Sequence, residues 1–302
     1  MSLAGAARAA VVRILRGAWD FVSRVYNSAA EDDVFFLAGA IAFNILVAAI
    51  PFLLLIVAIF GFVLPRFAED PEQAAVDYVV SILPPSQAVV SFTRELVSGI
   101  IGGRTRFGLL GLALFVWTST RLFGTLRTVL RHVFDLQDDR GIVRGKIFDA
   151  QMVLLAGTLF LANTGITIVL GAVRGFGQEW LAERGLRELP IVEVVYAQLL
   201  AFAFIFVMFV LIYRYLPARR IPWRVSLTAA AFTAVAWELL KGVFTWYVTY
   251  VANYGTTYGR VATVIVLVFW IYYSAVVFIL GGEVGQVYDL NRTRRRQKEL
   301  LE

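Results

Sequence analysis

Between Asp33 and Arg66 the chain runs for 32 residues, Val34 to Pro65, without one charged side chain. At ~1.5 Å per residue, a helix of that length outreaches the ~30 Å hydrocarbon core of a bilayer. Backbone N–H and C=O groups cannot stay bare in hydrocarbon, so a run of this kind must be helical; no alternating barrel-strand pattern competes with that reading. Asn44 and Pro51 lie inside it, which predicts a long, tilted helix kinked near Pro51. The same argument carried along the chain gives six expected spans, at about 34–64, 107–130, 149–173, 191–214, 224–251 and 260–284. With 59% hydrophobic and 17% charged residues, too little charge is left to cover a soluble domain. The predicted fold class is therefore all-α, a polytopic integral membrane protein with six transmembrane helices. One membrane domain over 31–290 follows a helix at 1–30 and precedes a basic cytoplasmic tail at 291–302.

The segments between the spans set the details. Residues 66–106 read as a long loop at the outer surface or partly re-entrant. It would carry short amphipathic pieces around 74–83 and 86–101, parted by Pro84-Pro85. The second span has only fourteen uncharged residues, Phe107 to Thr120, and reaches spanning length only if its helix continues through Arg121. In residues 1–30, arginines at 8, 13, 16 and 24 interrupt any apolar core, so no signal peptide is expected there. Arg13, Arg16, Asp20 and Arg24 share one helical face, while Val11, Ile14, Leu15, Ala18, Val22 and Val25 share the other. That pattern suits a helix in the headgroup region of an anionic leaflet, or one packed on the protein's own cytoplasmic side. Basic residues number 19 on the side of the two termini and 8 on the other, which predicts both termini in the cytoplasm.

Several chemistries are excluded by composition. Cysteine is absent and His132 is the sole histidine, so thiolate sites, paired-His zinc motifs and a Ser-His-Asp triad are not expected. Asp135, Asp138, Asp139 and Asp149 are spread among arginines and do not form the clustered carboxylates a metal-dependent nuclease needs. There is no nucleophile elbow and no phosphate-cradling glycine motif. The chain is thus not expected to be an enzyme, and no cofactor or metal is expected. The formal charge of +6 is accounted for by arginines on cytoplasmic segments, with no nucleic-acid partner required.

The candidate functional residues are polar groups in or beside the spans. Glu238 and Lys241 stand near the middle of the fifth span, three residues apart, and form either an ion or substrate pathway or a structural ion pair. Arg121 falls at the cytoplasmic boundary of the short second span. With Arg127, Arg131, Arg214, Arg219, Arg220 and Arg224 it is expected to form a basic cytoplasmic mouth for phosphate or carboxylate groups. Positive-inside bias and snorkelling are the plainer account of the outer arginines. Asn253, Tyr254 and Tyr258 lie in a polar, glycine-containing turn between the fifth and sixth spans, suited to a re-entrant binding turn or to a tight interfacial loop. Asn44 could face the same interior. Glu283, flanked by Gly281-Gly282 and Gly285, either pairs with a cytoplasmic arginine, the preferred reading, or acts as a protonatable gate. Gly281 and Gly285 offer a small-residue face for close helix contact, and Asp149 is expected to be solvated or arginine-paired.

Longer stretches of the sequence carry a resemblance. Tyr213 to Arg224, Trp237-Glu-Leu-Leu-Lys241, Asn253 to Gly259 and Leu280-Gly-Gly-Glu283 are similar to the YihY/virulence factor BrkB family of bacterial inner-membrane proteins. Asn44 to Pro51 and Arg121 to Arg127 resemble the first two helices of that family, and the resemblance covers roughly residues 30–290. It implies a six-helix protein of the bacterial inner (cytoplasmic) membrane. For activity it implies less: some members bear an old ribonuclease BN label, and others are linked to serum resistance or export of envelope lipids. The resulting expectation is a transporter, exporter or lipid flippase for an anionic or lipid-like envelope component, with proton coupling through Glu238 as an option. The alternative is a non-transporting scaffold or envelope-integrity factor. Membrane lipids, especially anionic ones, are the expected partners, and small-residue faces permit a homo-oligomer.

Overall fold

The structure is a computed structural model that describes residues 3–67, 87–137, 140–141, 143–159, 190–251 and 259–301. Every regular element among them is helical: α1 (Leu3–Glu31), α2 (Val34–Phe67), α3 (Gln87–Val133), α4 (143–159), α5 (Pro190–Tyr215), α6 (Trp223–Trp246) and α7 (Gly259–Leu301). A π-turn over Tyr247–Val251 extends α6. Four stretches among the described residues are long and apolar enough to cross a membrane: Val34–Leu55, Gly108–Val133, Trp223–Tyr250 and Val264–Glu299. The expected span at 191–214 coincides with α5, whose apolar part is Ala201–Tyr215. The expected span at 149–173 is helical to residue 159 and then passes outside the described residues, as does the piece at 74–83.

One expectation changes. The amphipathic piece at 86–101 is not a separate short element in a loop: α3 is one helix of 47 residues, continuous from Gln87 through Arg121 to Val133. The physical reason is that hydropathy is not helicity. Arg94, Glu95, Arg104 and Arg106 make the stretch too polar to span, but no proline interrupts the backbone ladder after Pro85. At ~1.5 Å per residue α3 is about 70 Å long, well beyond the hydrocarbon core. The helix of α7 continues on to Leu301, so residues 291–301 are helical.

The chain packs as two units, 43–122 and the remainder (1–42 with 123–302), so that α2 and α3 each contribute to both. In the smaller unit α2 and α3 run antiparallel. Phe52 meets Phe115 with ring centroids 5.6 Å apart, and a Cβ on Gly111 would stand 3.1 Å from the backbone nitrogen of Leu55. In the larger unit α5, α6 and α7 pack side by side, and α1 lies along the second half of α7. Small residues make the α6–α7 approach close. Val225, Ala229 and Thr233 recur every four residues on α6 and are buried against Gly281 and Gly285 of α7, the small-residue face expected from sequence. A Cβ on Gly281 would collide with the hydroxyls of Thr233 and Tyr213, and one on Gly285 would lie 3.0 Å from Ala229 Cβ. Tyr213 threads this seam, fully buried, with its hydroxyl 2.7 Å from Thr233 Oγ1 and donating to the Phe278 carbonyl. One turn later on α7 comes Glu283.

Candidate functional site

Glu283 has no exposed surface, and neither carboxyl oxygen has a hydrogen-bond partner. Two helix ends and the next turn of α7 close over it. Ser28 and Asp32 come from the end of α1, Asp135 from the turn after α3, and Gln286 from the next turn of α7. Ser28 Oγ donates to Gln286 Oε1 at 3.1 Å, and Gln286 Nε2 donates to Asp135 Oδ2 at 2.6 Å, so the amide bridges α1 to α3. Ser28 and Asp32 stand beside Glu283 without reaching hydrogen-bond geometry to it. Asp32 lies outside the apolar spans. Burial pushes its carboxyl above the usual value of 3.8, and Asp135 and Glu31 push the same way against the opposing effects of Glu283 and His132.

The backbone shows how these acids are positioned. Asp135 ends α3 in the left-handed region (φ 48°), with Leu136 N–H bonded to the Arg131 carbonyl and Asp135 N–H to the His132 carbonyl. That is a Schellman ending, where glycine is the usual choice; an aspartate tolerates the position and supplies the carboxylate that Gln286 requires. Asp33 (φ 50°) makes the corresponding bend between α1 and α2, and its carbonyl accepts the first bonds of α2, from Phe36 and Leu37.

Beside the cluster is a cavity of about 300 Å³, lined by Asp135, Gln286, Asp289, Arg219 and Arg220 among others. The loop carrying the two arginines is held rigidly. Arg214 lies 3.9 Å over the Trp223 ring and donates to the Ile221 carbonyl at 2.7 Å. Arg140 donates to the Pro217 carbonyl at 2.9 Å while its guanidinium sits 3.4 Å over Phe148. Further along, Arg127 Nε bonds Asp149 Oδ1 at 3.2 Å, the carboxylate being buried and the arginine side chain 14% exposed. Gly145 leaves the room that the guanidinium fills, and Gly124 faces the carboxylate. Asp149 is thus arginine-paired, the second of the two environments expected for it.

The sequence-derived candidates divide accordingly. Arg219 and Arg220 line the cavity; Arg127 and Arg214 are committed to Asp149 and to the loop backbone. Arg224 is exposed on the first turn of α6, and Arg131 is half-buried in the last turn of α3. The expected arginine partner of Glu283 is a correction: among the described residues no arginine pairs with it, because α7 turns this residue toward the ends of α1 and α3, which present Ser28, Asp32 and Asp135. Glu238 and Lys241 pair with each other at 2.7 Å on a face of α6 that leaves them 41% and 42% exposed. Arg121 is exposed and Asn44 half-buried, both belonging to the smaller unit. Asn253, Tyr254 and Tyr258 lie outside the described residues. Ser28, Asp32, Asp135 and Gln286 were not singled out from sequence. Gln286, one turn beyond Glu283, was the one local signal; the others are brought in by tertiary contact.

A family model described as virulence factor BrkB matches residues 25–301, an interval that holds the whole cluster from Ser28 to Gln286. The chain belongs to the virulence factor BrkB family. Curated relatives agree that it is a membrane protein. It is 29% identical over 284 residues to a UPF0761 membrane protein of Alkalilimnicola ehrlichii, a match covering 93% of this chain and 61% of that protein. It is 24% identical to a UPF0761 membrane protein of Alteromonas mediterranea, over 89% of each chain. It is also 24% identical to YfkH of Bacillus subtilis, which is named as ribonuclease-like, over 82% of this chain and 87% of that one. The chain therefore spans only about three-fifths of the length of the Alkalilimnicola member of the BrkB family. No solved structure matches it.

Proposed function

We propose that this protein moves an anionic or lipid-like envelope component across the bacterial inner membrane, as a transporter, exporter or flippase. The observation that carries the reading is the cavity lined by Arg219 and Arg220, with Asp135 and Gln286 on its wall and the buried carboxyl group of Glu283 one helical turn from Gln286. In this reading the protein has six spans, and the arginine excess favours this end lying in the cytoplasm with both termini. Two guanidinium groups on a braced loop suit a phosphate or carboxylate approaching from that side. Glu238 and Lys241 enter this reading as a mutually neutralised pair rather than as two separate charges on the path. Arg121, Asn44, Asn253, Tyr254 and Tyr258 stay as candidate contacts along it. The family's ribonuclease-like name is not taken over.

The test is to purify the protein in mild detergent and identify co-purifying lipids and solutes by mass spectrometry. Wild type is compared with the Arg219→Gln/Arg220→Gln double variant and with Arg121→Gln. Enrichment of one anionic species in wild type, lost in the double variant, is the expected result, and that species is then tested for movement across liposomes. Identical bulk lipids in all three would remove the basis for the proposal. One observation favours a scaffold instead: Leu15, Trp19, Val22 and Tyr26 form a continuous exposed stripe on α1, at 62%, 73%, 57% and 73% exposure. Function that survives loss of both arginines but not of this stripe would support that second reading.

A further inference from the structure

We propose that Glu283 is a proton-binding site, its carboxyl carrying a proton that it exchanges through Asp32 and Asp135 with water in the cavity beside Arg219. The site is built by geometry. Glu283 is wholly buried with both oxygens unpartnered, inside a ring of groups that supplies no cation. α1 brings Ser28 and Asp32, with Glu31 acting on Asp32; α3 brings Asp135, with His132 acting on Asp32 rather than on Glu283. α7 itself brings Gln286, already bonded to Ser28 and Asp135. α6 meets this part of α7 with Val225, Ala229 and Thr233, and α5 with Tyr213, whose hydroxyl is held by Thr233 and Phe278. An ionised carboxylate left there would cost several kcal/mol without a hydrogen bond or counter-charge, so the group takes its neutral form.

A metal ion is the other way to neutralise clustered acids. Among the described residues, however, no three acidic or histidine side chains are grouped to hold one. Asp32, beside Glu283, and Asp135, on the cavity wall, are the groups that would relay the proton. The O–H bond at Glu283 breaks as one forms on the Asp32 carboxylate, and the proton then passes to water at Asp135, which lies on the cavity wall. Glu283 is left as the carboxylate until a proton returns the same way. The role in transport rests on the reading above: the proton would be the coupling ion, and substrate in the cavity would meet the Arg219 and Arg220 charges next to a site that changes charge.

Infrared difference spectroscopy of the full chain in nanodiscs, titrated with pH in sodium or potassium buffer, reads this without any substrate. The expected result is a protonated-carboxyl band in wild type at neutral pH. It should be lost on alkaline titration, be the same in both salts, and be missing from Glu283→Gln. Glu283→Gln keeps the shape of the neutral acid and is expected to fold. Asp32→Asn is the second variant, expected to keep the band and to change its titration midpoint. Absence of the band in wild type, its persistence in Glu283→Gln, or its removal by sodium at constant pH would each overturn the proposal. If Glu283→Gln does not fold, an unmoved midpoint in Asp32→Asn overturns it instead. A band without any transported species would leave the proton site standing and remove only the transport reading.

Discussion

Two acidic residues on neighbouring helices have opposite surroundings. Glu238 sits mid-way along α6, where hydropathy marks it as conspicuous, yet it is two-fifths exposed and bonded to Lys241 at 2.7 Å. Glu283, just past the middle of α7, is entirely enclosed and has no partner for either oxygen. Position along a span thus says little about what a charge experiences. Burial and partners decide it, and both are properties of packing. Asp149 completes the series as an acid that is buried and paired, held by Arg127.

The comparison can be broken most severely at the seam that buries Glu283. Gly281→Leu drives a side chain into Thr233 and Tyr213, and we expect little monodisperse protein on size-exclusion chromatography. Gly157→Leu, at a position with open space, serves as the control and should behave as wild type. Next in size is the buried pair. Asp149→Ala should cost about 2–4 kcal/mol, toward the lower part of the range for buried pairs because the Arg127 side chain keeps 14% of its surface exposed; thermal unfolding in detergent checks it, and a loss below about 1 kcal/mol would mean the pair is solvated.

The Glu238–Lys241 pair sharpens the contrast by its non-additivity. Lys241→Met alone should cost about 2 kcal/mol by stranding an acid in the span. The double variant Glu238→Gln/Lys241→Met should cost under about 1 kcal/mol, as expected for a pair that serves mainly itself. A double variant worse than the single one would assign the pair a task beyond mutual neutralisation.

The smallest expected effect concerns Asp32. Its carboxyl is raised in the folded protein, mainly by burial, so it holds a proton more tightly there than in the unfolded chain. Its contribution to stability is therefore complete below the ordinary value of 3.8 and is lost as pH rises through the raised folded value. Tm of wild type relative to Asp32→Asn should consequently fall as pH rises across that window. A difference independent of pH would contradict this assignment.

Much of the helical layout was legible in the sequence because apolar periodicity and length are local quantities. α2, α5 and α6 begin within a few residues of their expected spans, and the small-residue face at Gly281 and Gly285 meets α6 as its spacing implied. The piece expected at 86–101 reads as separate from the second span because hydropathy drops between them, whereas backbone bonding runs through both without a proline to stop it. Within the candidate site, Glu283 was visible as an acid between glycines at the end of the sixth span, and Arg219 and Arg220 as members of a basic cytoplasmic mouth. Asp32 and Asp135 were visible only as span-flanking and scattered acids, since Asp32 is 251 positions from Glu283 in the chain.

The sequence by itself determined that this is a helical membrane protein with a basic end, because the cost of exposing backbone or charge to hydrocarbon depends on which residues follow one another. Only the tertiary structure decided which charges are satisfied. Whether an arginine pairs, braces a loop or faces a cavity depends on the helices brought beside it, and so does the isolation of a carboxyl such as Glu283. Long-range packing sets those neighbours, and no local pattern in the chain encodes them.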